Sequence, residues 1–172
     1  GPELFDALGI LRTEEQLAAA QYYDVDLFFG QTVDFGYSKR LDESLEKWDR
    51  QLLLEDTVRL IRTYRPNVII ARFTGDSGDG HGQHQASGLI TRQAFSLAAD
   101  PNQFPEQISA GLQPWQAQKL YISRSRWRNN GTEPSNLLRI DTGKYDPLLG
   151  RSYYEIARQG LRYQRSQGAG QR

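Results

Sequence analysis

The 172-residue sequence contains no cysteine, no methionine and only two histidines. Without cysteine the chain can form neither a disulfide nor a thiolate metal site. No run of eighteen apolar residues is present, which excludes a membrane-spanning helix. Translation begins with methionine, so we expect the chain to be processed or to be a fragment of a longer protein.

The composition indicates a folded protein that is neutral overall but unevenly charged. Hydrophobic residues make up 38% and charged residues 24%, and the 3 Trp, 9 Tyr and 7 Phe argue against disorder. Residues 1–118 carry a net charge of −7, whereas residues 119–172 carry +7 and include Trp127 among Arg124, Arg126 and Arg128. Such a basic stretch can contact a polyanion, but no known nucleic-acid motif accompanies it. We therefore expect no nucleic-acid partner.

Helical and β-strand patterns alternate along the chain, which predicts an α/β fold with right-handed crossovers. The apolar run 67–73 is typical of a central parallel strand buried on both faces. Four helices are predicted, over residues 13–23, 42–64, 84–99 and 152–166. Thr13 is the expected N-cap of the first, and Pro66 ends the second, which is predicted to be unbroken. Two further strands are predicted over residues 25–29 and 119–123.

His81 and His84 follow the strand 67–73 and a loop rich in glycine. At a helix start, residues three apart point to nearly the same face, so both imidazoles can line one cleft. The end of a strand is also the usual place for a site in an open α/β sheet. One neutral imidazole can bind zinc, while the other can stabilise an oxyanion or transfer a proton. An ordinary loop with two solvated imidazoles fits the spacing equally well.

A catalytic zinc ion needs about three protein ligands and a water. The two histidines have the acids Asp76 and Asp79 nearby, but there is no third histidine to complete a set. A complete catalytic site is therefore not readily built from this sequence alone, which agrees with the expectation of a fragment. Gly78, Gly80 and Gly82 could let the backbone approach a substrate closely, or could form a plain flexible loop.

Several segments, each weak alone, resemble in their order and spacing the LmbE-like, or PIG-L-type, zinc-dependent de-N-acetylases. Three of them look like the family's Arg-x-x-Glu helix start, its Arg-Pro-Asp-Val strand and its His-x-x-His segment, namely residues 9–15, 65–70 and 80–87. Others resemble one subgroup of large bacterial members, namely residues 33–38, 104–107, 113–117, 148–153 and 166–168.

The resemblance implies a Rossmann-like three-layer α/β sandwich with a mostly parallel sheet, whose N-terminal strand is missing from this sequence. It also implies hydrolysis of an N-acetyl amide, usually on an amino sugar, by a water bound to Zn2+. In the family, an N-terminal His-Pro-Asp-Asp motif and the second His of His-x-x-His hold the metal. Carried onto this chain, His84 is the metal ligand, His81 the catalytic partner and Arg12 a substrate-binding residue.

His-Pro-Asp-Asp occurs nowhere in the sequence, which is the main departure from the family pattern. We therefore expect residues 1–166 to form a partial de-N-acetylase domain, inactive alone, and residues 167–172 to be a frayed end or the start of a linker. The expected substrate is an N-acetylated small molecule, and the oligomeric state stays open. The subgroup often carries an export signal, which slightly favours an exported or periplasmic location.

A non-catalytic carbohydrate-binding module of the same fold is the alternative function. In that case aromatic side chains would stack on sugar rings, with Trp115, Trp127, Tyr37 and Tyr153 as candidates. For most of these side chains we favour ordinary packing instead.

Overall fold

The computed structural model describes residues 6–33, 35–123 and 137–167. The chain forms two compact units, of which the first combines Gly1–Phe29 with Glu133–Arg172 and the second is Gly30–Thr132. The basic cluster around Trp127 and residues 168–172 of the predicted tail lie outside the described residues. Within those described ranges, no helix combines the length and the apolar character that crossing a membrane requires.

Among the described residues, helices dominate both units and each unit has one pair of strands. In the second unit β1 (Val68–Ala71) and β2 (Lys119–Ile122) are parallel, with Val68 opposite Lys119 and Ala71 opposite Ile122, which is compatible with the predicted α/β class. In the first unit β3 and β4 are antiparallel. In chain order the elements are α1 (Asp6–Tyr23), α2 (Leu41–Lys47), α3 (Arg50–Tyr64), β1 (Val68–Ala71), α4 (Gly82–Leu97), α5 (Pro105–Ser109), β2 (Lys119–Ile122), β3 (Tyr145–Asp146), β4 (Arg151–Ser152) and α6 (Tyr153–Leu161).

Helix α1 begins at Asp6, earlier than the sequence predicts. Thr13 lies inside the helix, so its predicted role as N-cap is wrong, whereas the predicted end at Tyr23 is confirmed. Good helix formers precede Thr13, and a single interior glycine, Gly9, costs only about 1 kcal/mol. The chain leaves the helix at Asp24, whose φ is 55°.

The predicted helix 42–64 is two helices, α2 and α3, separated at Asp49. The Asp49 backbone has φ 52°, and its carboxylate accepts hydrogen bonds from the backbone N–H groups of Gln51 and Leu52 at 3.0 and 3.3 Å. Asp49 is thus the N-cap of a new helix. The apolar periodicity continues across the break, so the pattern alone does not reveal it. As predicted, the second helix stops before Pro66.

Two strand predictions need correction. Residues 25–29 form no strand, because alternation favours an extended backbone but a strand also needs a neighbour to hydrogen-bond with. Strand β1 is parallel to its neighbour as predicted, but it is not buried on both faces. Ile70 is 68% exposed and Val68 46%, while Ala71 on the opposite face is buried.

The core of the second unit lies between α3 and α4. Leu54, Val58 and Ile61 form an apolar stripe along α3, and these buried side chains pack with Ile90 and Ala94 of α4. This contact fixes the position of α4, which has His81 as its N-cap residue and His84 in its first turn.

Arg62 ties α3 to the segment that follows α4. Its side chain is buried, and the guanidinium donates hydrogen bonds to the carbonyl oxygens of Ala98, Asp100 and Gln103 at 3.1, 2.7 and 2.9 Å. It also donates to the side-chain oxygen of Gln107 at 3.1 Å. The neutral oxygens together solvate the buried charge, as water would outside the protein.

In the first unit, α6 begins at a complete capping box and packs on α1. The Ser152 hydroxyl accepts from the Glu155 backbone N–H while the Glu155 carboxylate accepts from the Ser152 backbone. The Tyr23 hydroxyl donates to the carbonyl of Ala157 at 3.0 Å, and its ring lies against Gly160, where a Cβ would clash. Helix α6 ends at Leu161, earlier than the predicted 166.

Replacement of Arg62 by Met should lower the free energy of unfolding by about 3 kcal/mol, because several buried carbonyl oxygens lose their donor. Urea denaturation followed by circular dichroism measures this loss. Arg59→Ala is the matched control, since it removes only an exposed pair with Glu55 and should cost about 0.5 kcal/mol or less. Equal midpoints for the two variants would contradict the role assigned to Arg62.

Candidate functional site

The two histidines lie side by side at the start of α4. His81 is the N-cap residue with extended backbone, φ −82° and ψ 142°, and His84 follows in the first turn. Their ring centroids are 4.5 Å apart and the ring planes differ by 16°. The three-residue spacing therefore brings the imidazoles together, as the sequence predicts, and they are stacked face to face.

Two aromatic side chains extend this pair into a row of four rings. Phe73 stacks on His84 with centroids 4.0 Å apart and planes at 11°, and Tyr37 lies nearly perpendicular to His81 at 4.5 Å. We refer to Tyr37, His81, His84 and Phe73 as the ring stack. Because its neighbours lie parallel to it, His84 can reach a ligand only through its ring edge.

A backbone contact orients the His84 ring. Its Nδ1 atom lies 3.2 Å from the carbonyl oxygen of Asp79. A carbonyl oxygen only accepts hydrogen bonds, so Nδ1 carries a proton, and in the neutral form of the ring the lone pair is then on Nε2. Metal-binding histidines are typically held in this way by a second hydrogen bond. His84 thus fits the chemistry of a metal ligand.

Asp79 holds the loop that supplies this carbonyl. Its side chain is only 2% exposed, and the carboxylate accepts from the Gly75 backbone N–H at 2.7 Å and from the Thr74 hydroxyl at 3.0 Å. The sequence offers no direct sign of this role. The structure gives Asp79 a structural role that sequence reasoning missed.

The second nearby acid, Asp76, also serves the loop. Its carboxylate accepts from the backbone N–H of Gly78 at 2.8 Å. Within residues 6–33, 35–123 and 137–167, no group of three or more His, Cys, Asp or Glu side chains is placed to hold a metal ion. The described residues therefore offer His84 as one ligand of a metal and do not complete a coordination shell.

Gly82 allows the segment before α2 to lie directly against the start of α4. Its N–H donates to the carbonyl of Ser38 at 2.9 Å, and a Cβ on Gly82 would lie 2.1 Å from the carbonyl oxygen of Arg40. Gln83 also donates to the carbonyl of Gly36. Because Gly82 has no side chain, this packing is possible, and it holds Tyr37 beside His81.

An open cavity of about 510 Å³ adjoins the start of α4. Residues just before α2 and in α2 form one side of this cavity, and the loop before His81 forms the other. We refer to it as the side groove, and its lining residues are Lys39, Arg40, Leu41, Asp42, Leu45, Ser77, Gly80 and Gln85.

Arg12 lies on α1 in the first unit, whereas both histidines belong to the second. The Glu15 carboxylate one turn later has a lowered pKa, chiefly because the Ser166 hydroxyl donates to it at 2.6 Å, with a smaller contribution from the charge of Arg12. This gives Arg12 an electrostatic role within its own unit. Its role in substrate binding stays a prediction.

The aromatic candidates for sugar stacking fall into different environments. Trp115 is a packing residue, since its indole N–H donates to the carbonyl of Pro66 at 2.8 Å and Arg65 lies over its ring at 4.6 Å. Tyr37 is 63% exposed and Tyr153 55%, so both rings remain accessible. Trp127 lies outside the described residues.

One protein-family model matches the part of the chain that carries the ring stack. A family model described as "PIG-L: GlcNAc-PI de-N-acetylase" matches residues 2–95, more than half of the chain, and the match includes Arg12, His81 and His84. The chain belongs to the PIG-L family. This membership confirms the resemblance noted in the sequence.

Several curated bacterial proteins are similar to this PIG-L chain, and each is named 1D-myo-inositol 2-acetamido-2-deoxy-alpha-D-glucopyranoside deacetylase. The Thermobifida fusca protein is 40% identical over 62 residues, which is 36% of this chain and 19% of the relative. A Frankia alni protein numbered 2 is 35% identical over 86 residues, covering 48% and 28%. Another, numbered 1, is 44% identical over 69 residues, covering 39% and 22%. The chain spans less than a third of the length of these relatives.

Replacement of Asp79 by Asn should disturb the His84 ring, because a neutral amide oxygen accepts the hydrogen bonds from Gly75 and Thr74 more weakly than a carboxylate does, and the amide places an NH₂ group where the second carboxylate oxygen lies. We expect the free energy of unfolding to fall by about 1–3 kcal/mol. We also expect the ¹⁵N resonances of the His84 ring to show loss of the single Nδ1-protonated form.

Asp76→Asn is the matched control for this variant, since the amide oxygen can still accept from Gly78 on the exposed side of the same loop. It should change stability by less than about 0.5 kcal/mol. An unchanged His84 spectrum in Asp79→Asn would show that the carboxylate does not hold the ring.

Proposed function

We propose that the protein to which this chain belongs hydrolyses the N-acetyl amide of an amino sugar and depends on zinc. The observation that carries the proposal is the hydrogen bond from His84 Nδ1 to the carbonyl of Asp79, because it makes Nε2 the ring nitrogen whose lone pair would bind a metal. Membership of the PIG-L family supports the reaction class. The 2-acetamido sugar in the names of the relatives supports the substrate class.

The ring stack favours different roles for the two histidines. A metal lies about 2.0–2.1 Å from a ligating imidazole nitrogen. The ion also lies close to the plane of the ring that binds it. Because the planes of His81 and His84 are stacked and differ by only 16°, one ion cannot lie in both planes at that distance. We therefore assign the metal to His84 and leave His81 free to hydrogen-bond the substrate.

His81 suits a role in hydrogen bonding or proton transfer. It is exposed at the N-cap position, where its side chain makes no capping hydrogen bond, and Tyr37 and His84 restrict its ring. An imidazole so placed can donate to the oxyanion that develops on the amide carbonyl, or pass a proton to the leaving amine. Bound zinc would supply an activated water and would polarise the carbonyl.

The remaining parts of the site are proposed to come from elsewhere in the protein. Further metal ligands would lie beyond the described residues, so we expect this chain to be inactive alone, and Arg12 would contact the substrate. We propose that residues 1–166 are part of one Rossmann-like three-layer domain. The exposed face of β1, with Val68 and Ile70, is where a second helical layer would pack on the sheet.

The full-length protein should release acetate from at least one member of a panel of N-acetylated amino sugars. Release should stop when a chelator removes the metal and return when zinc is added, because the activated water depends on the ion. Assays of free acetate and of new primary amine measure this. No release from any panel member by the metal-loaded protein would contradict the proposal, and sugar binding that survives complete removal of zinc would favour a carbohydrate-binding module.

Alanine variants of the two histidines should separate metal binding from turnover in the full-length protein. We expect His84→Ala to abolish zinc binding, measured by metal analysis after dialysis. His81→Ala should keep the metal and lower kcat by about 10²–10³-fold, the usual range for loss of one proton-transfer or oxyanion group. Similar metal contents in both variants would show that the division of roles is wrong.

A further inference from the structure

Helix α6 has one side on α1 and the opposite side in solvent. Gly160 is buried against the ring of Tyr23, and Ile156, one turn earlier, is partly buried on the same side. Consecutive residues of a helix point about 100° apart, so Arg158 points about 160° away from Gly160. The residues on this outward side of α6 therefore take no part in the packing on α1.

The outward side of α6 is basic. Arg158 and Arg162 are four residues apart, Arg165 follows three residues later, and all three are exposed. The turn continues past the end of the helix, because the N–H of Gln164 donates to the carbonyl of Leu161 at 3.0 Å. The spacing of four and three residues thus keeps the arginines on one side. Within the described part of the chain, none of the three guanidinium groups forms an ion pair.

The helix does not neutralise this charge itself. Glu155 is the one acidic residue between Tyr153 and Arg165. Its carboxylate accepts from the backbone N–H and the hydroxyl of Ser152, both at 2.8 Å, and these hydrogen bonds lower its pKa. Glu155 therefore belongs to the capping box at the start of α6, and the positive charge towards the other end stays uncompensated.

Apolar side chains are interleaved with the arginines. Tyr154 is 57% exposed and Leu161 41%, and they lie four residues before and three residues after Arg158. We define the arginine face as Tyr154, Arg158, Leu161, Arg162 and Arg165.

This combination of side chains matches the surface of an anionic bilayer. A guanidinium group forms paired hydrogen bonds with a phosphate, and tyrosine is enriched where lipid headgroups meet hydrocarbon. An exposed leucine gains free energy when it leaves water for lipid chains. The charged backbone of a nucleic acid offers Leu161 no such apolar surroundings, so the arginine face fits a membrane better.

We propose that the arginine face is a peripheral docking surface for an anionic phospholipid membrane. The arginines contact the lipid phosphates, while Tyr154 and Leu161 enter the headgroup region. Charge complementarity supports this partner, because residues 119–172 carry a net charge of +7 and each basic group at an anionic membrane adds to binding. The docking goes beyond the proposed hydrolysis and uses neither the metal nor the histidines.

Flotation of the full-length protein with vesicles tests the proposal. The protein should bind phosphatidylcholine vesicles only when they contain phosphatidylglycerol, and binding should weaken as salt is raised. The double variant Arg158→Gln with Arg162→Gln should lower the partition coefficient about 30-fold, since each arginine at such a surface contributes about a factor of five. Failure of the unsubstituted protein to bind the anionic vesicles would overturn the proposal.

Arg50→Gln with Arg59→Gln is the matched control, because it removes the same charge from two exposed arginines of α3. It should keep the partition coefficient within about twofold, since charges outside the contact are screened. Equal losses in the two double variants would show that net charge, and not the arginine face, causes binding. Circular dichroism should show the same fold for both.

Two further measurements separate the membrane from other partners. Tyr154→Gln keeps every charge and should still weaken vesicle binding about fivefold, because the ring no longer enters the interface. Duplex DNA that binds through Arg158 and Arg162 in the absence of vesicle binding would make the face a nucleic-acid site. A self-associated form that dissociates in the arginine double variant, again without vesicle binding, would make a second copy the partner. Either of these last two results would overturn the proposal.

Discussion

The hydrogen bond between His84 Nδ1 and the carbonyl of Asp79 is the contact on which the candidate site depends. It sets the tautomer of His84, with the proton on Nδ1 and the lone pair on Nε2. The same residue keeps this carbonyl in place, because the buried Asp79 carboxylate accepts hydrogen bonds from Gly75 and Thr74. One aspartate thus links the end of β1 to the first turn of α4.

Packing elsewhere in the second unit supports this arrangement. The apolar contact between α3 and α4 positions the helix, and Arg62 ties α3 to the segment that follows α4. Gly82 then allows the segment before α2 to lie against the first turn, so Tyr37 comes to rest beside His81. The ring stack is therefore a product of the core as well as of the loop.

Local patterns predicted the elements that depend on neighbours in sequence. The end of α3 before Pro66, the strands β1 and β2, and most of α4 were all recognisable. The errors arose where a competing local contact or an absent partner intervened. Asp49 caps a new helix inside a continuous apolar period, and residues 25–29 do not pair with any strand in the part of the chain that the structure describes.

By itself the sequence determined the family, the pairing of His81 and His84, and the α/β class, because motif spacing and hydrophobic period act over a few residues. The tertiary structure decided that the imidazoles stack and that Phe73 and Tyr37 flank them. It also decided that Asp79 serves the loop instead of lying free beside a metal. These outcomes depend on ring orientation and burial, which arise only when α4, the loop before it and the segment before α2 pack together.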